Sequence, residues 1–175
     1  MPAQQYRELR ERKVDLILGR IASPIEGDVE NEILFQNRLY VVAGLQSRWC
    51  RRRKIKLAEL ANEPWALPPP ESLVGSLVAD AFRTSGIEFP RSGVATGSIH
   101  LLNALLAKGP YLAIYSDTVL RFGSNLPPLK VLPVTLPIPP WPVGIMTLKN
   151  RTLSPLAKLF IECSREVVKP LAKEK

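Results

Sequence analysis

The chain has 175 residues, of which 46% are hydrophobic and 23% charged, and such a chain can bury a real core in one domain or two small lobes. Its formal net charge of +8 allows salt-dependent attraction to phosphates but does not indicate sequence-specific recognition of nucleic acid. The two cysteines are far apart in the sequence, which argues against a disulfide framework or a zinc site and fits a reducing cytoplasm. The chain begins with polar residues and contains no long apolar run, so we expect neither a secreted nor a membrane protein.

The N-terminal part of the chain predicts a helix followed by strands. Residues 4–12 are typical of the end of a helix, and the apolar run 14–18 directly after it predicts a buried strand. Two short strands are expected at 33–35 and 39–42, interrupted by the polar pair 36–37. A helix that leads directly into a buried strand indicates an α/β protein.

A basic cluster follows these strands and consists of Arg48, Arg51, Arg52, Arg53 and Lys54. Such a cluster can attract nucleic acid or acidic lipid. The alternative is a solvated turn between two strands, which is favoured because no aromatic platform or basic helical face is expected beside it.

The middle of the chain begins with a short helix and a brief strand at 65–67, which the prolines at 68–70 must end because they lack a backbone donor. Ser72 is then a predicted N-cap, and Gly86 stands where a C-terminal glycine is expected. Between them, one helical face carries the apolar residues Val74, Leu77, Val78, Ala81 and Phe82.

Strands and helices continue to alternate in the following segment. A strand at 93–96 leads into a helix capped by Ser98 and ended by Gly109, and a buried strand at 111–115 precedes a helical turn over 116–122. This alternation predicts a mostly parallel sheet with helices on its faces.

The last elements are a proline-rich extended segment over 127–142 with a strand near Val131, a strand at 143–148, and a helix that Ser154 caps with Pro155 in its first turn. The residues that this helix is expected to bury are Leu156, Leu159, Phe160, Cys163 and Val167.

Neither end of the chain can cover itself alone. We therefore expect residues 1–44 and 141–175 to join in a first lobe, with residues 45–140 forming a second lobe and two crossover strands acting as a hinge. Trp141 and Pro142 lie at the second crossover and are interpreted as hinge structure.

The order of these elements resembles the effector-binding domain of LysR-type transcription regulators, from about Tyr6 to Glu166. Several stretches carry the resemblance, and their order and spacing are more specific than any one of them. They are LRERKVDLILGR, ENEILFQNRLYVVAG, KLAELANEPWALPPPES, GVATGSIHLLNALLAKGPYLAIYSDTV and LSPLAKLFIECSRE.

The resemblance implies a two-lobed type 2 periplasmic-binding-protein-like fold whose cleft binds a small effector. An effector that prefers one arrangement of the lobes would shift the geometry of an oligomer held on DNA, and the family implies a homodimer or tetramer. Three features depart from the family. No winged helix-turn-helix or linker helix is found, so DNA would be contacted only through a domain absent here, and the first strand, helix and second strand of the first lobe have no counterpart, so that lobe is expected to be incomplete. Lys13 stands where the family often has glycine.

Candidate ligand-binding residues follow the predicted strands, because ligands of open α/β sheets bind beyond the carboxyl ends of strands. They are Arg20, Ile21, Pro70, Glu71, Ser72, Thr96, Gly97, Ser98, Tyr115 and Ser116. For each group, a purely structural role is the alternative to ligand binding.

Arg20 offers a forked cation to a carboxylate, or is a surface arginine paired with Glu26 or Asp28. Ser72 and Ser98 precede helices whose free amides favour an anion, or act only as caps. The acid at position 71 would repel an anion but suits a hydroxyl-rich sugar acid or an amine.

The residue types argue against catalysis and against a cofactor or metal. His100 lies between apolar helical neighbours with no orienting acid. Asp117 and Glu71 are the acids near strand ends, and Tyr115 has core packing as its alternative role. Two other functions remain open: a free solute-binding protein, which would need an export signal, and a truncated remnant that only oligomerises and exposes a sheet edge.

Overall fold

A computed structural model of the protein describes residues 2–21, 27–90 and 93–172. Two short 3-10 helices, Arg48–Arg51 and Leu57–Leu60, accompany the main elements. These are α1 (Pro2–Arg10), β1 (Ile17–Arg20), β2 (Val29–Asn37), β3 (Leu39–Gly44), β4 (Trp65–Leu67), α2 (Leu73–Thr84), β5 (Gly93–Ala95), α3 (Ile99–Lys108), β6 (Leu112–Ser116), α4 (Asp117–Phe122), β7 (Leu129–Val131), β8 (Trp141–Leu148) and α5 (Pro155–Ala172).

The chain divides into two compact units. The first unit contains Met1–Asn37 and Pro140–Lys175, and the second contains Arg38–Pro139. Among the described residues, no helix is both long enough and apolar enough to cross a membrane.

The first unit is built on an antiparallel sheet with strand order β1-β8-β2 among the described residues. Successive side chains of a strand point to opposite faces, so Met146 of β8 packs with Tyr6 and Leu9 of α1, whereas Ile145 packs with Ile161 of α5. The sheet is therefore covered by α1 on one face and by α5 on the other.

The buried face of α5 differs from the predicted one. Ala157 and Ile161 are buried, and Val168 and Leu171 pack in the same cluster. The residues that were expected to be buried are exposed: Leu156, Leu159, Phe160, Cys163 and Val167. The prediction was wrong because it took the larger apolar stripe as the core face, while the sheet packs against the neighbouring stripe.

The second unit has a mixed sheet with strand order β5-β4-β6-β3-β7 among the described residues. β4 pairs in parallel with β5 and with β6, and β3 pairs antiparallel with β6 and with β7. The predicted alternation of strands and helices is confirmed for this parallel group, but the sheet is not mostly parallel as predicted, because two of its four strand pairings are antiparallel. Helix α2 packs on one face through Val78 and Phe82, and α3 packs on the other through Leu102 and Leu106.

Three boundaries differ from the predicted ones. Residues 38–44 were assigned to the first lobe, but β3 lies in the second unit because it pairs with β6 and β7. Gln36 and Asn37 do not interrupt a strand, since β2 continues through both and pairs with β8. The first strand is Ile17–Arg20, three residues later than expected.

The basic cluster is partly neutralised within the second unit. Arg48 pairs with Glu63, and Arg52 pairs with Glu59 at 2.9 Å. Both guanidinium groups also lie over the ring of Trp49, at 5.2 and 5.9 Å from its centroid. Because the ring of Trp49 is buried, it supports these arginines and is not an exposed platform for bases.

A polar network joins the start of β1 to the start of α5. Arg151 Nη2 donates to Asp15 Oδ1 at 2.5 Å, its Nη1 donates to the Val14 carbonyl at 3.0 Å, and the Ser154 hydroxyl donates to Asp15 Oδ2 at 3.1 Å. The side chain of Arg151 is only 19% exposed, so these bonds are partly shielded from water.

We expect Arg151→Ala to lower the free energy of unfolding by about 1–2 kcal/mol, because it leaves the Asp15 carboxylate without its cation. Chemical denaturation followed by circular dichroism measures the change. Arg83→Ala is the matched control, since Arg83 and its partner Asp80 are both largely exposed and exposed ion pairs contribute little. Equal losses for the two variants would contradict the prediction.

Candidate functional site

The parallel strands of the second unit end at one edge of the sheet. Leu67 of β4 pairs with Ala95 of β5, and Ala66 pairs with Ala113 of β6. The amide of Thr96 continues this ladder by donating to the Leu67 carbonyl at 2.8 Å. The segments that follow the three strands therefore start side by side, as the sequence predicted for the carboxyl ends of parallel strands.

Helices α2, α3 and α4 begin at this edge, each with a serine cap. The hydroxyl oxygens of Ser72, Ser98 and Ser116 accept from the amides of the third following residue at 3.1, 3.4 and 3.4 Å. Caps satisfy one of the free amides in the first turn and leave others for water or a ligand. The predicted capping roles are thus observed, and the partial positive charge of α2 and α3 points toward the same edge.

The loop between β4 and α2 packs tightly against the start of the helix. The Ser72 hydroxyl donates to the Pro69 carbonyl at 2.7 Å, and a Cβ placed on Gly75 would lie 1.8 Å from that carbonyl oxygen. Pro70 and Glu71 are exposed. The loop is therefore fixed to α2, while its two predicted site residues face solvent.

The loop between β5 and α3 is more open. The Thr96 hydroxyl oxygen accepts from the Ser98 amide at 3.0 Å, and a Cβ placed on Gly97 would meet no atom within 4 Å. A small cavity of about 110 Å³ lies beside this loop and is lined by residues from both β4 and β5 together with Pro70 and Phe89. The lining of this cavity does not include Thr96 or Gly97, and its volume is small for a whole effector.

Tyr115 lies in the core, although it was a candidate ligand-binding residue. Its side chain is 1% exposed and its hydroxyl donates to Asn103 Oδ1 at 2.7 Å. Burial raises the pKa of Tyr115 to about 12, so the phenol stays neutral at physiological pH. The neighbouring Ser116 is half-buried at the edge, where its hydroxyl also contacts the Thr118 hydroxyl at 2.7 Å.

The first unit has its own polar edge, where β1 and β2 end beside the start of β8. The exposed Arg20 guanidinium lies 5.5 Å from the ring centroid of Trp141. The alternative pairing with Asp28 is not observed, because that carboxylate accepts two hydrogen bonds from Arg10. The alternative partner Glu26 lies outside the described residues.

Asn37 was not predicted as a site residue, yet it ends at this same edge by pairing with Trp141. It is 8% exposed, and its Oδ1 atom has no hydrogen-bond partner. A buried acceptor without a partner is energetically costly. Packing therefore does not account for an asparagine at this position. Ile21, by contrast, is buried in the core with Ile17 and Tyr6.

His100 and Cys50 belong to residue types that carry catalysis in many proteins. His100 is exposed on α3. Burial raises the pKa of the Cys50 thiol, whose sulfur contacts the Gly44 carbonyl. No group of three potential metal ligands occurs among the described residues. A larger groove of about 750 Å³ lies at the far end of α2, around Arg83 and Phe89, away from the edge that holds the helix starts.

The chain belongs to the LysR substrate-binding domain family, whose model matches residues 1–169. This family is one of transcriptional regulators. The match agrees with the parallel strands, the capped helix starts and the two units described above, and it confirms the resemblance found in the sequence.

One similar protein is the transcriptional dual regulator GltC of Bacillus subtilis (strain 168), which is 24% identical over 156 residues, 88% of this chain and 51% of that protein. The chain spans about half the length of the curated relatives it matches. Two solved structures share the type 2 periplasmic-binding-protein-like fold. The effector-binding domain of QuiR in complex with shikimate has a TM-score of 0.68 at 20% identity, and the BenM effector-binding domain with its effector benzoate has 0.69 at 21%. They cover 97% and 94% of this chain, which covers 78% and 74% of them.

Proposed function

We propose that this chain is the effector-sensing part of a LysR-type transcription regulator and that its effector is a small organic or sugar acid. The observation that carries the proposal is the convergence of capped helix starts at one sheet edge of the second unit, in a chain that belongs to this family. Free amides at helix starts favour a negatively charged group.

The first unit presents polar groups of its own that suit a carboxylic acid. Arg20 presents a planar, exposed cation that can bind a carboxylate with two hydrogen bonds. The Asn37 Oδ1 atom, which has no hydrogen-bond partner, can accept a hydrogen bond from a hydroxyl group. QuiR and BenM are bound to shikimate and benzoate, both of which are carboxylic acids.

The residues we propose as effector contacts are those that reach these edges. In the first unit they are Arg20 and Asn37, and in the second they are Pro70, Glu71, Ser72, Thr96, Gly97, Ser98 and Ser116. Glu71 selects against a second negative charge and in favour of hydroxyl groups, which is why a sugar acid fits as well as an aromatic one. Tyr115 and Ile21 support the edges from the core.

The mechanism proposed for the complete regulator is a population shift. An effector that binds one arrangement of the protein better changes the geometry of an oligomer of two or four copies on DNA. DNA contact belongs to another domain of such a regulator, and a protein of this kind acts in the cytoplasm. We propose no catalytic role for this chain and no cofactor.

Thermal unfolding of the chain with a panel of aromatic acids, sugar acids and amines tests the proposal. We expect one class of acid to raise the melting temperature, because a ligand at 100 times its Kd adds about 2.7 kcal/mol of stability. Arg20→Met should abolish that shift while leaving the unliganded melting temperature nearly unchanged, since the long side chain still covers Trp141.

Arg53→Met is the matched control, because Arg53 is an exposed arginine of the basic cluster in the second unit. It should retain the full shift. The proposed site would be contradicted if the ligand still raised the melting temperature of Arg20→Met but no longer raised that of Arg53→Met. A transition that no compound moves would instead favour the truncated remnant, and a response to neutral sugars alone would favour a solute-binding protein.

A further inference from the structure

The basic cluster after β3 carries more positive charge than its neighbouring acids neutralise. Residues 48–63 contain six basic and two acidic side chains, a net charge of +4, which is half of the formal +8 of the whole chain. Both acids already pair with arginines of the cluster. Three exposed cations of the cluster form no ion pair with any described residue: Arg51, Arg53 and Lys54.

The turn that carries these three cations is fixed to the second unit. Lys130 Nζ of β7 donates to the Cys50 carbonyl at 2.6 Å, and the Ile55 amide donates to the Pro133 carbonyl at 3.3 Å. Trp49 and Ile55 are buried in the core. Holding unpaired cations together on an anchored turn costs free energy through their mutual repulsion. A turn whose only role is to be solvated therefore does not account for their concentration here.

The chemistry of this surface suits the phosphate groups of a nucleic acid duplex. Guanidinium groups bind phosphate with two parallel hydrogen bonds, and adjacent cations match the closely spaced charges of double-stranded DNA. Single strands are bound by stacking bases on exposed aromatic rings, whereas the ring of Trp49 is buried. The helix Arg48–Arg51 has four residues, too few to read bases from the major groove. These features favour contact with the backbone of a duplex.

We propose that the basic cluster is a sequence-independent docking surface for double-stranded DNA, on which Arg51, Arg53 and Lys54 contact phosphates. The chain belongs to a family of transcriptional regulators, and phosphate contacts orient a protein on the duplex without reading its sequence. This contact adds to the one that belongs to another domain of such a regulator. It does not depend on the proposed effector.

Fluorescence anisotropy of a labelled duplex of about 20 base pairs, titrated with the chain at several salt concentrations, measures the binding. We expect a Kd of about 10⁻⁴ M at about 50 mM salt, equal for duplexes of unrelated sequence. Three phosphate contacts give a slope of about −2.7 for the logarithm of affinity against that of salt concentration. Binding should therefore weaken about fortyfold between about 50 and 200 mM salt.

Replacing the three cations together, as Arg51→Gln, Arg53→Gln and Lys54→Gln, should weaken binding about tenfold or more at low salt and reduce the slope by about 2 to 3. The melting temperature should stay that of the parent chain, because none of the three pairs with another described residue. The matched control removes the same charge from exposed cations elsewhere and should bind within about twofold of the parent chain. It combines Arg12→Gln, Arg38→Gln and Lys158→Gln.

Glu59→Gln tests the surface in the opposite direction. Glutamine keeps an acceptor for the Lys56 amide but removes the charge that pairs with Arg52. Affinity for the duplex should therefore rise, and the slope should steepen by about one.

Several results would overturn the proposal. One is a parent chain that does not bind the duplex at low salt, and another is a strong preference for one DNA sequence. Equal losses for the cluster variant and the control would show an effect of net charge alone. Binding to phosphatidylserine vesicles without binding to the duplex would replace DNA by a membrane surface as the partner.

Discussion

Replacing Phe82 by alanine is expected to lower the free energy of unfolding of the second unit by about 3–5 kcal/mol. The side chain is fully buried on α2, and its ring meets the edges of Trp65 and Phe89 at centroid distances of 5.4 and 5.9 Å. Alanine removes the ring and leaves a cavity among aromatic groups that cannot collapse to fill it. Urea unfolding monitored by tryptophan fluorescence measures the loss.

The matched control for this prediction is Phe122→Ala. Phe122 is the same residue type on a helix of the same unit, but it is 45% exposed, and we expect its loss to cost less than about 1 kcal/mol. A comparable cost for the two variants would show that the packing around Phe82 is looser than described.

Gly75→Ala is expected to destabilise the chain by about 2–3 kcal/mol and to reduce the effector response. The added Cβ would stand 1.8 Å from the Pro69 carbonyl oxygen, so either the loop or the first turn of α2 must move. Either movement breaks the hydrogen bond from the Ser72 hydroxyl to Pro69. Thermal unfolding with and without a stabilising acid measures both effects.

Gly97→Ala is the control, because a Cβ at Gly97 meets no atom within 4 Å. It should fold with nearly the stability of the parent chain, and any change in the effector response then reports contact with the ligand rather than loss of structure. If Gly75→Ala is as stable as Gly97→Ala, the contact between the loop and α2 is not as close as described.

The parts of the fold that the sequence predicted best are those whose local signals agree with one another. α2 and α3 each follow a serine cap, and Gly86 after α2 has φ +69°, which suits glycine at a helix C-terminus. Each helix also has a single apolar stripe that packs on the sheet. Local chemistry and periodicity therefore required the same structure.

The prediction failed where two structures satisfied the same pattern. α5 has two adjacent faces that could pack on a sheet, one with Phe160 and Leu159 and the other with Ala157 and Ile161. Volume favours the first face, but the ion pair of Arg165 with Glu32 and the bonds of Arg151 hold the helix on the second. Such long-range contacts cannot be read from periodicity.

The candidate site was predicted from strand ends, and this rule located the loops but not the direction of each side chain. Tyr115 and Ile21 follow or end strands, yet they face the core because strand residues alternate between faces. Asn37 was missed because it resembled a break between strands. Its signal was a polar residue at the end of an apolar run, and only the structure shows that it is buried without a partner.

The strand order of the first unit has a consequence for synthesis of the protein. β1 and β2 each pair with β8, and β8 leaves the ribosome only after the whole of Arg38–Pro139 has been made. The second unit is a continuous segment and can form while translation continues. β1 and β2 remain unpaired until β8 has been synthesised, and their pairing with β8 then joins segments that are far apart in the sequence. Translational pausing before β8 should therefore prolong exposure of the first unit to chaperones and proteases, while leaving the second unit protected.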